Sequence, residues 1–571
     1  MAGRWGASAL YAALALAAVM RGLGPDTVVG TGYDADGTIW LYWWVHHALS
    51  VLQNPLHVDL VYAPGGYDLF RENGGQVFDA LLAAPLVALL GHPGWQAWHV
   101  ALVLFANALA FDVLARRLLP AAPAVAATVA FELHPFALYE LSYGRPSQAL
   151  LAFAPLAVAA FVRCSEPGWR APLAAGVLTT LHALIYWFNG WFLALALFVV
   201  ALHTTVGHPD RRGLWRRYLA AGAVCSVLIA PAALAMQGLW DAGAIPGSGS
   251  GGGWLDLPSD LDNVIDSTQG WWALEALGPP LYLTVVTGVP LLLWLLLGPG
   301  RGPWAFVFVA AAAFAVGPLV EVAGQRFSMP HYLIAWHGLP FLERLWHPYR
   351  FLSIAALASS LGVGFLLTRW PRLALPAVVG LVAGTAAQYA SAGLFPLTTR
   401  SLEAPALVTW LGTQEGTVLT LPLNRSGLTY VWQAHHHRPL FGGPLDNAPV
   451  YWPERYRERL EHPTVRHLER LLEGRIEPLD AEDRAALAGW DVRWILLDRS
   501  SVSEHHHRPE RMVATALGEP TAIDGSLVLW SLGDVEAPDE LAWTLQREDE
   551  PWTRRSYEHP VEHGRRMAGV Q

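Results

Sequence analysis

The chain contains no lysine; all 37 of its basic residues are arginine. That absence excludes a Walker-type phosphate loop, whose lysine reaches the phosphates, and excludes Schiff-base chemistry on this chain. Cysteine is almost missing as well. Cys164 and Cys225 are the whole inventory, so neither a disulfide framework nor a cysteine-ligated zinc site can be built. Charge is scarce: 15% of the 571 residues are charged, against about 25% in an ordinary soluble domain. The motifs H-E-x-x-H and G-x-S-x-G do not occur. A net charge of −10 and a pI near 6.1 argue against a nucleic-acid partner.

Apolar residues make up 53% of the chain, and the mean hydropathy is +0.31. Roughly half of all charged residues fall after Thr399. The first two thirds is therefore built of Ala/Leu/Val runs long enough to cross a bilayer. The expectation is an α-helical polytopic membrane protein with a small water-facing α/β domain at its C-terminal end. Residues 4–20 are read as a first transmembrane helix rather than a signal peptide, because no small-x-small cleavage site precedes Arg21.

Runs near 5–22, 96–114, 122–140, 148–163, 171–188, 191–207, 217–236, 276–298, 303–322, 346–367 and 373–391 suggest about eleven spans. Arginine placement orients them, since positive residues stay on the cytoplasmic side. With the N-terminus inside, Arg4, Arg116, Arg117, Arg163, Arg170, Arg211, Arg212, Arg216, Arg217, Arg301, Arg369 and Arg372 all fall in cytoplasmic loops. This works only if 76–91, which is short and holds Asp79 and Pro85, does not span. The Trp-rich stretch 38–53 is expected to lie along the outer surface. The resulting organisation is a transmembrane domain 1–395 with a large first outer loop 23–95, an outer α/β domain 396–535, and a polar tail 536–571. Strands are expected at 416–423 and 492–497, a hairpin at 521–532, and a flexible Gly/Ser piece inside an outer loop 238–275.

Several ionisable residues stand out. Asp34 and Asp36 precede the Trp-rich stretch; a carboxylate there can act as general base toward a hydroxyl. Two Asp at i and i+2 also offer oxygen ligands to a divalent cation, Mg or Mn. The plain alternative is a solvated turn. Arg344 and Arg350, flanking His347 in ERLWHPYRF, and Arg145 in SYGRP lie on the expected outer side. Their guanidiniums suit a lipid phosphate, or else ordinary headgroups or an ion pair with Glu343. Glu132, His134 and His182 sit within spans and are candidates by position. The runs His435–His437 and His505–His507 read as solvated loops, because consecutive histidines seldom converge on a metal.

Taken together, these segments resemble the GT-C superfamily of integral membrane glycosyltransferases, in particular a bacterial branch of it. That branch shows a loop Asp, a Trp about six residues on, W-x-x-x-A-L, N-P and P-x-G. Here these are Asp34, Trp40, Trp44 to Leu49, Asn54-Pro55 and Pro64 to Gly66. Its Arg-x-x-x-Pro-x-Arg-Phe segment is Arg344, Pro348, Arg350 and Phe351. Its Q-x-x-H-x-x-P-x-x-G-G segment runs from Gln433 to Gly443, with His436, Pro439 and Gly442. The acidic pair of better-studied members is split here by Ala35.

The resemblance implies an inverting hexosyl- or pentosyltransferase of the cell (inner) membrane. It would move sugar from a polyprenyl-phosphate carrier to a glycan, lipid or protein acceptor on the outer face. Asp34 would be the base or metal partner, with Asp36 as its helper; Arg350, Arg344 and Arg145, with Trp40 and His347, would bind substrate. A lipid or solute transporter and a non-catalytic envelope scaffold are the rival readings.

Overall fold

The structure is a computed structural model. It describes residues 2–31, 34–70, 77–241, 285–300, 302–322, 325–338, 345, 348–390, 393–423, 427–443, 452–472, 478–502 and 509–542 of the 571. By internal contacts the chain divides into two units, Met1–Gly30 with Gly94–Arg400, and Thr31–Pro93 with Ser401–Gln571. The first loop therefore clusters with the C-terminal chain rather than with the helices that flank it in sequence.

The first unit is helical, and among the described residues seven of its helices are long and apolar enough to cross a membrane: Trp5–Gly22, Trp95–Leu118, Ala121–Ser142, Pro146–Ser165, Trp187–Val206, Arg211–Gly238 and Pro348–Thr368. Arg170–Ile185, Gly288–Leu297 and Gly302–Ala315 are shorter apolar helices. The chain is a membrane protein in which apolar side chains face outward. On Arg211–Asp241, Leu219, Val227 and Leu234 are each about two thirds exposed or more, which is costly in water and favourable in lipid.

One expected span ends early. The apolar run 303–322 is helical only over Gly302–Ala315; Leu319–Val322 instead pairs antiparallel with Gln325–Ser328. Gly317, at φ +78°, and Pro318 stop the helix between them. The loop 238–275 lies outside the described residues except for its first four, 238–241, which end the helix Arg211–Asp241.

Other helices are interrupted in ways that matter for chemistry. Ala121–Glu132 stops and Pro135–Ser142 begins at a proline, with His134 capping: its Nδ1 accepts from the Phe136 N–H at 3.2 Å. The chain turns at Gly144 (φ +77°), makes one turn at Pro146–Ala149, and restarts at Phe153. Asn107 satisfies the backbone freed there. It donates to the Ala149 carbonyl at 2.8 Å and accepts from the Leu151 N–H at 2.8 Å. Irregular backbone at membrane depth is tolerable only with such partners. Tyr186 is extended between Arg170–Ile185 and Trp187–Val206. Pro348–Phe351 forms a 3-10 turn before Leu352–Thr368.

The second unit holds a four-stranded sheet. Thr417–Leu421 lies parallel to Val492–Asp498, which pairs antiparallel with Leu527–Ser531, and that strand pairs antiparallel with Ala522–Asp524. The strands and hairpin read from the sequence form at those positions, the hairpin turning at Gly525 (φ +55°). The tail's first residues are not loose: the Ile523 N–H donates to the Leu541 carbonyl at 2.9 Å. Residues 543–571 lie outside the described part. The helix Asp34–Ser50 packs on Phe78–Leu90 and on Gly427–His436. At 13 residues with Pro85 inside, Phe78–Leu90 is too short to span.

Buried ionisable groups make this unit's stability pH-dependent. Asp79 is 1% exposed and accepts the Tyr42 hydroxyl; burial pushes its carboxyl up to about 6. The unfolded carboxyl loses its proton near 3.8, so stability falls as pH rises from about 4 to 6 and stays reduced above. Asp79→Asn should therefore stabilise the unit by about 3 kcal/mol at pH 7.5 and by little at pH 4. Thermal unfolding with hydrogen exchange over 34–90, compared at the two pH values, checks this. His436, 1% exposed, behaves oppositely: burial lowers it to about 3, and stability is lost as pH falls below 6.5.

Candidate functional site

The breaks described above gather a polar cluster inside the first unit. Arg145, just after Gly144, donates from Nη1 to the Tyr349 hydroxyl at 3.0 Å and lies 3.6 Å from the Glu140 carboxylate. Its guanidinium also stacks over Tyr143, 5.2 Å from the ring centre. Arg350, on the 3-10 turn, donates from Nη1 to the Tyr186 hydroxyl and sits over that ring at 5.3 Å. The charges of Glu140, Arg145 and Arg350 all act on Tyr186 and on Tyr349, so the five groups form one electrostatic set.

The cluster is nearly dry. Glu140 is 0%, Tyr349 1% and Tyr186 4% exposed, and the Arg145 side chain is 12% exposed. Tyr139 wedges edge-on against Tyr349, and Phe351 packs on Phe192 and Phe314 from the other side of the turn. Among the described residues the Nε of Arg350 is buried and meets no acceptor, and Arg350 makes no ion pair. A buried donor left unsatisfied costs about 1–3 kcal/mol. Guanidinium N–H groups held by phenols, with one donor unspent, are chemically a receptor for a phosphate or carboxylate oxygen.

Nearby amides are also unspent. Asn189, 1% exposed, donates to the Gln148 backbone carbonyl at 3.2 Å, and the side-chain oxygens of both residues are buried without donors among the described residues. Glu132, 0% exposed, likewise has no hydrogen-bond partner there, and His134 serves as the helix cap already described.

In the second unit Asp34 and Asp36 occupy the first turn of Asp34–Ser50. At about 100° per residue, side chains at i and i+2 diverge by about 200° around a helix. They are not a ready-made pair for one cation. Among the described residues no group of three or more His, Cys, Asp or Glu gathers as a metal-ligand set. These residues therefore do not by themselves fit a divalent ion, and no step below runs through one.

Trp40 is 2% exposed, and its indole N–H donates to Gln433 Oε1 at 2.8 Å. Its place is as an anchor inside the unit. Gln433 in turn donates to the Leu60 carbonyl at 2.6 Å and the Arg438 carbonyl at 3.0 Å. Leu440 N–H reaches the Leu60 carbonyl, Ala63 N–H the Leu440 carbonyl, and Tyr62 N–H the Gly442 carbonyl. A Cβ on Gly443 would fall within 2.2 Å of the Tyr62 ring. The first-loop motifs and the Gln433–Gly443 segment are thus two halves of one docking surface.

The histidine run 435–437 is only in part a solvated loop. His435 and His436 end the helix Gly427–His436, and the buried His436 accepts at Nδ1 from the Arg438 N–H at 2.9 Å. His437, past the helix end, is exposed, with its ring tilted beside Trp43 and His47.

Of the residues singled out in the sequence, the structure brings Arg145 and Arg350 together. Arg344, His347 and His505–His507 lie outside the described residues. Sequence reading missed Tyr186, Tyr349 and Glu140. The only local signals were the helix-breaking context of Tyr186 and Tyr349 and the five-residue step from Glu140 to Arg145.

Fold and cluster define a class: a multi-spanning helical membrane protein whose broken helices hold a buried arginine–tyrosine site. Among solved structures, the chain superposes on the arabinofuranosyltransferase AftD from Mycobacteria with TM-score 0.58 and 18% identity, over 94% of this chain and 40% of that one. It superposes on the Archaeoglobus fulgidus oligosaccharyltransferase in its apo form with TM-score 0.50 and 13% identity, over 90% and 71%. The fold is shared with these two solved transferase structures. The chain spans about two fifths of the length of AftD. No protein-family model matches the sequence, and no curated protein matches it.

Proposed function

We propose that the protein is a membrane glycosyltransferase that moves a sugar from a polyprenyl-phosphate carrier to an acceptor hydroxyl on the outer face of the membrane. The observation that carries this reading is the pair Arg145 and Arg350, each held by a phenol, with Arg350 Nε buried and without an acceptor among the described residues. The shared fold supports it.

In this reading the acceptor oxygen attacks the anomeric carbon from the face opposite the leaving group. The bond from that carbon to the phosphate oxygen breaks, and its electron pair goes to the phosphate. The donor is a phosphodiester with one negative charge, and the product phosphate carries a second. Guanidiniums positioned at that group bind the transition state more strongly than the ground state, which is the requirement for rate acceleration. Asp34 takes the acceptor proton, with Asp36 as its helper. Arg344 and His347 belong with the arginine pair as further phosphate-binding candidates. About eleven spans, an extracytoplasmic second unit and an inner-membrane location complete the proposal.

Tyr186 and Tyr349 are positioning residues. Loss of either hydroxyl should weaken donor binding about tenfold, the scale of one hydrogen bond to a charged group, and a rise in KM for Tyr186→Phe with kcat nearly kept would show it. The reading itself is tested with purified protein in nanodiscs. Polyprenyl-phosphoryl pentoses and hexoses are offered with envelope acceptors, and release of polyprenyl phosphate is followed. Failure to bind any polyprenyl-phosphoryl sugar would end the proposal.

A further inference from the structure

The arginine cluster holds a third charge that the chemistry above does not use. Glu140 is fully buried, 3.6 Å from Arg145, and its charge reaches Tyr186, Tyr349 and Arg350. A carboxylate inside an anion receptor repels the ligand the receptor is built for. Orienting Arg145 does not require it, because the Tyr349 hydroxyl and the Tyr143 ring already fix that guanidinium. Besides its interaction with the Tyr349 hydroxyl, what Glu140 adds is charge. Among the described residues the two arginines supply two positive charges and Glu140 removes one, leaving a site matched to a single negative charge.

We propose that Glu140 is a selectivity residue: it matches the Arg145–Arg350 site to a lipid phosphodiester of one negative charge and rejects a lipid diphosphate of two. This rests on the phosphate-binding reading given above. The physical basis is like-charge repulsion at a dry site, where water cannot screen the second phosphate from the carboxylate. Discrimination by a built-in repulsive element is a general route to specificity. The two donor types share a greasy chain and a sugar, so attractive contacts to those parts cannot separate them. A charge beside the phosphate can.

The test measures binding of two probes to the full chain in nanodiscs: farnesyl methyl phosphate, a monoanion, and farnesyl methyl diphosphate, a dianion. The native protein should bind the monoanion at least tenfold more tightly. Glu140→Gln should bring the ratio close to one, mainly by tightening the dianion. Removing one positive charge together with the negative one restores the balance, so the double variant Arg145→Gln/Glu140→Gln should again prefer the monoanion. That variant leaves no buried guanidinium facing a missing partner, and it decides the matter should Glu140→Gln fold poorly.

A native ratio near one, a native preference for the dianion, or a ratio unmoved in Glu140→Gln would overturn the selectivity role while leaving phosphate binding intact. A double variant that does not prefer the monoanion would also overturn it. If neither probe binds, or if Arg350→Gln binds both as the native protein does, the phosphate-binding reading falls and the inference falls with it.

Discussion

Arg350→Gln should lower sugar transfer about 10²–10³-fold, the range seen when one preorganised donor to a developing anion is removed. The loss is expected in kcat as well as in donor affinity. In the proposed reading the donor phosphate carries one charge in the ground state, and Arg350 is one of two guanidiniums that would meet it. As the glycosidic bond opens, a second charge appears on that phosphate, and the interaction lost is largest at that moment. Glutamine keeps a donor N–H and much of the side-chain volume, so packing of the 3-10 turn against Phe192 and Phe314 is retained. Arg350→Lys should recover only part of the loss. An ammonium on a flexible stem cannot both donate to the Tyr186 hydroxyl and present a planar fork to phosphate. Steady-state kinetics with a polyprenyl-phosphoryl sugar, beside thermal stability of each variant, checks the prediction. Transfer within threefold of native in Arg350→Gln would show that the guanidinium does not meet the leaving group.

Asp34→Asn should reduce transfer about 10²–10⁴-fold, the usual contribution of a positioned general base, while binding of the polyprenyl-phosphoryl sugar stays native. The substitution is nearly isosteric and leaves the first turn of Asp34–Ser50 able to form. It removes the negative charge and with it the capacity to accept a proton. Asp36→Asn should cost far less, because its side chain diverges from that of Asp34 around the helix. Two assays separate the roles: single-turnover transfer for the base and equilibrium lipid binding for the receptor. Equal losses in Asp34→Asn and Asp36→Asn would point to the opposite assignment or to a shared structural role. Loss of lipid binding in Asp34→Asn would remove it from proton transfer and place it in donor recognition.

How much of this could be read from the chain alone varied with how local each signal was. The helix Trp95–Leu118 and the strand Val492–Asp498 appear where apolar runs placed them. Arg145 and Arg350 were legible as candidates because guanidiniums beside apolar spans are rare and costly. The run 303–322 misled because hydropathy does not register that Gly317-Pro318 ends a helix. Trp40 misled because a tryptophan in a motif can contact substrate or hold a loop, and only its bond to Gln433, 393 residues away, distinguishes the two.

What the chain's composition and pattern determined is the class: a membrane protein, because apolar length and arginine placement are one-dimensional properties that a bilayer reads directly. Tertiary structure decided which breaks in those helices coincide. Arg145 meets a hydroxyl 204 residues along, and Arg350 one 164 residues back. No local propensity encodes such pairings. They arise when helices pack and each interrupted backbone must find partners away from water, and the polar side chains at those interruptions are carried to the same place.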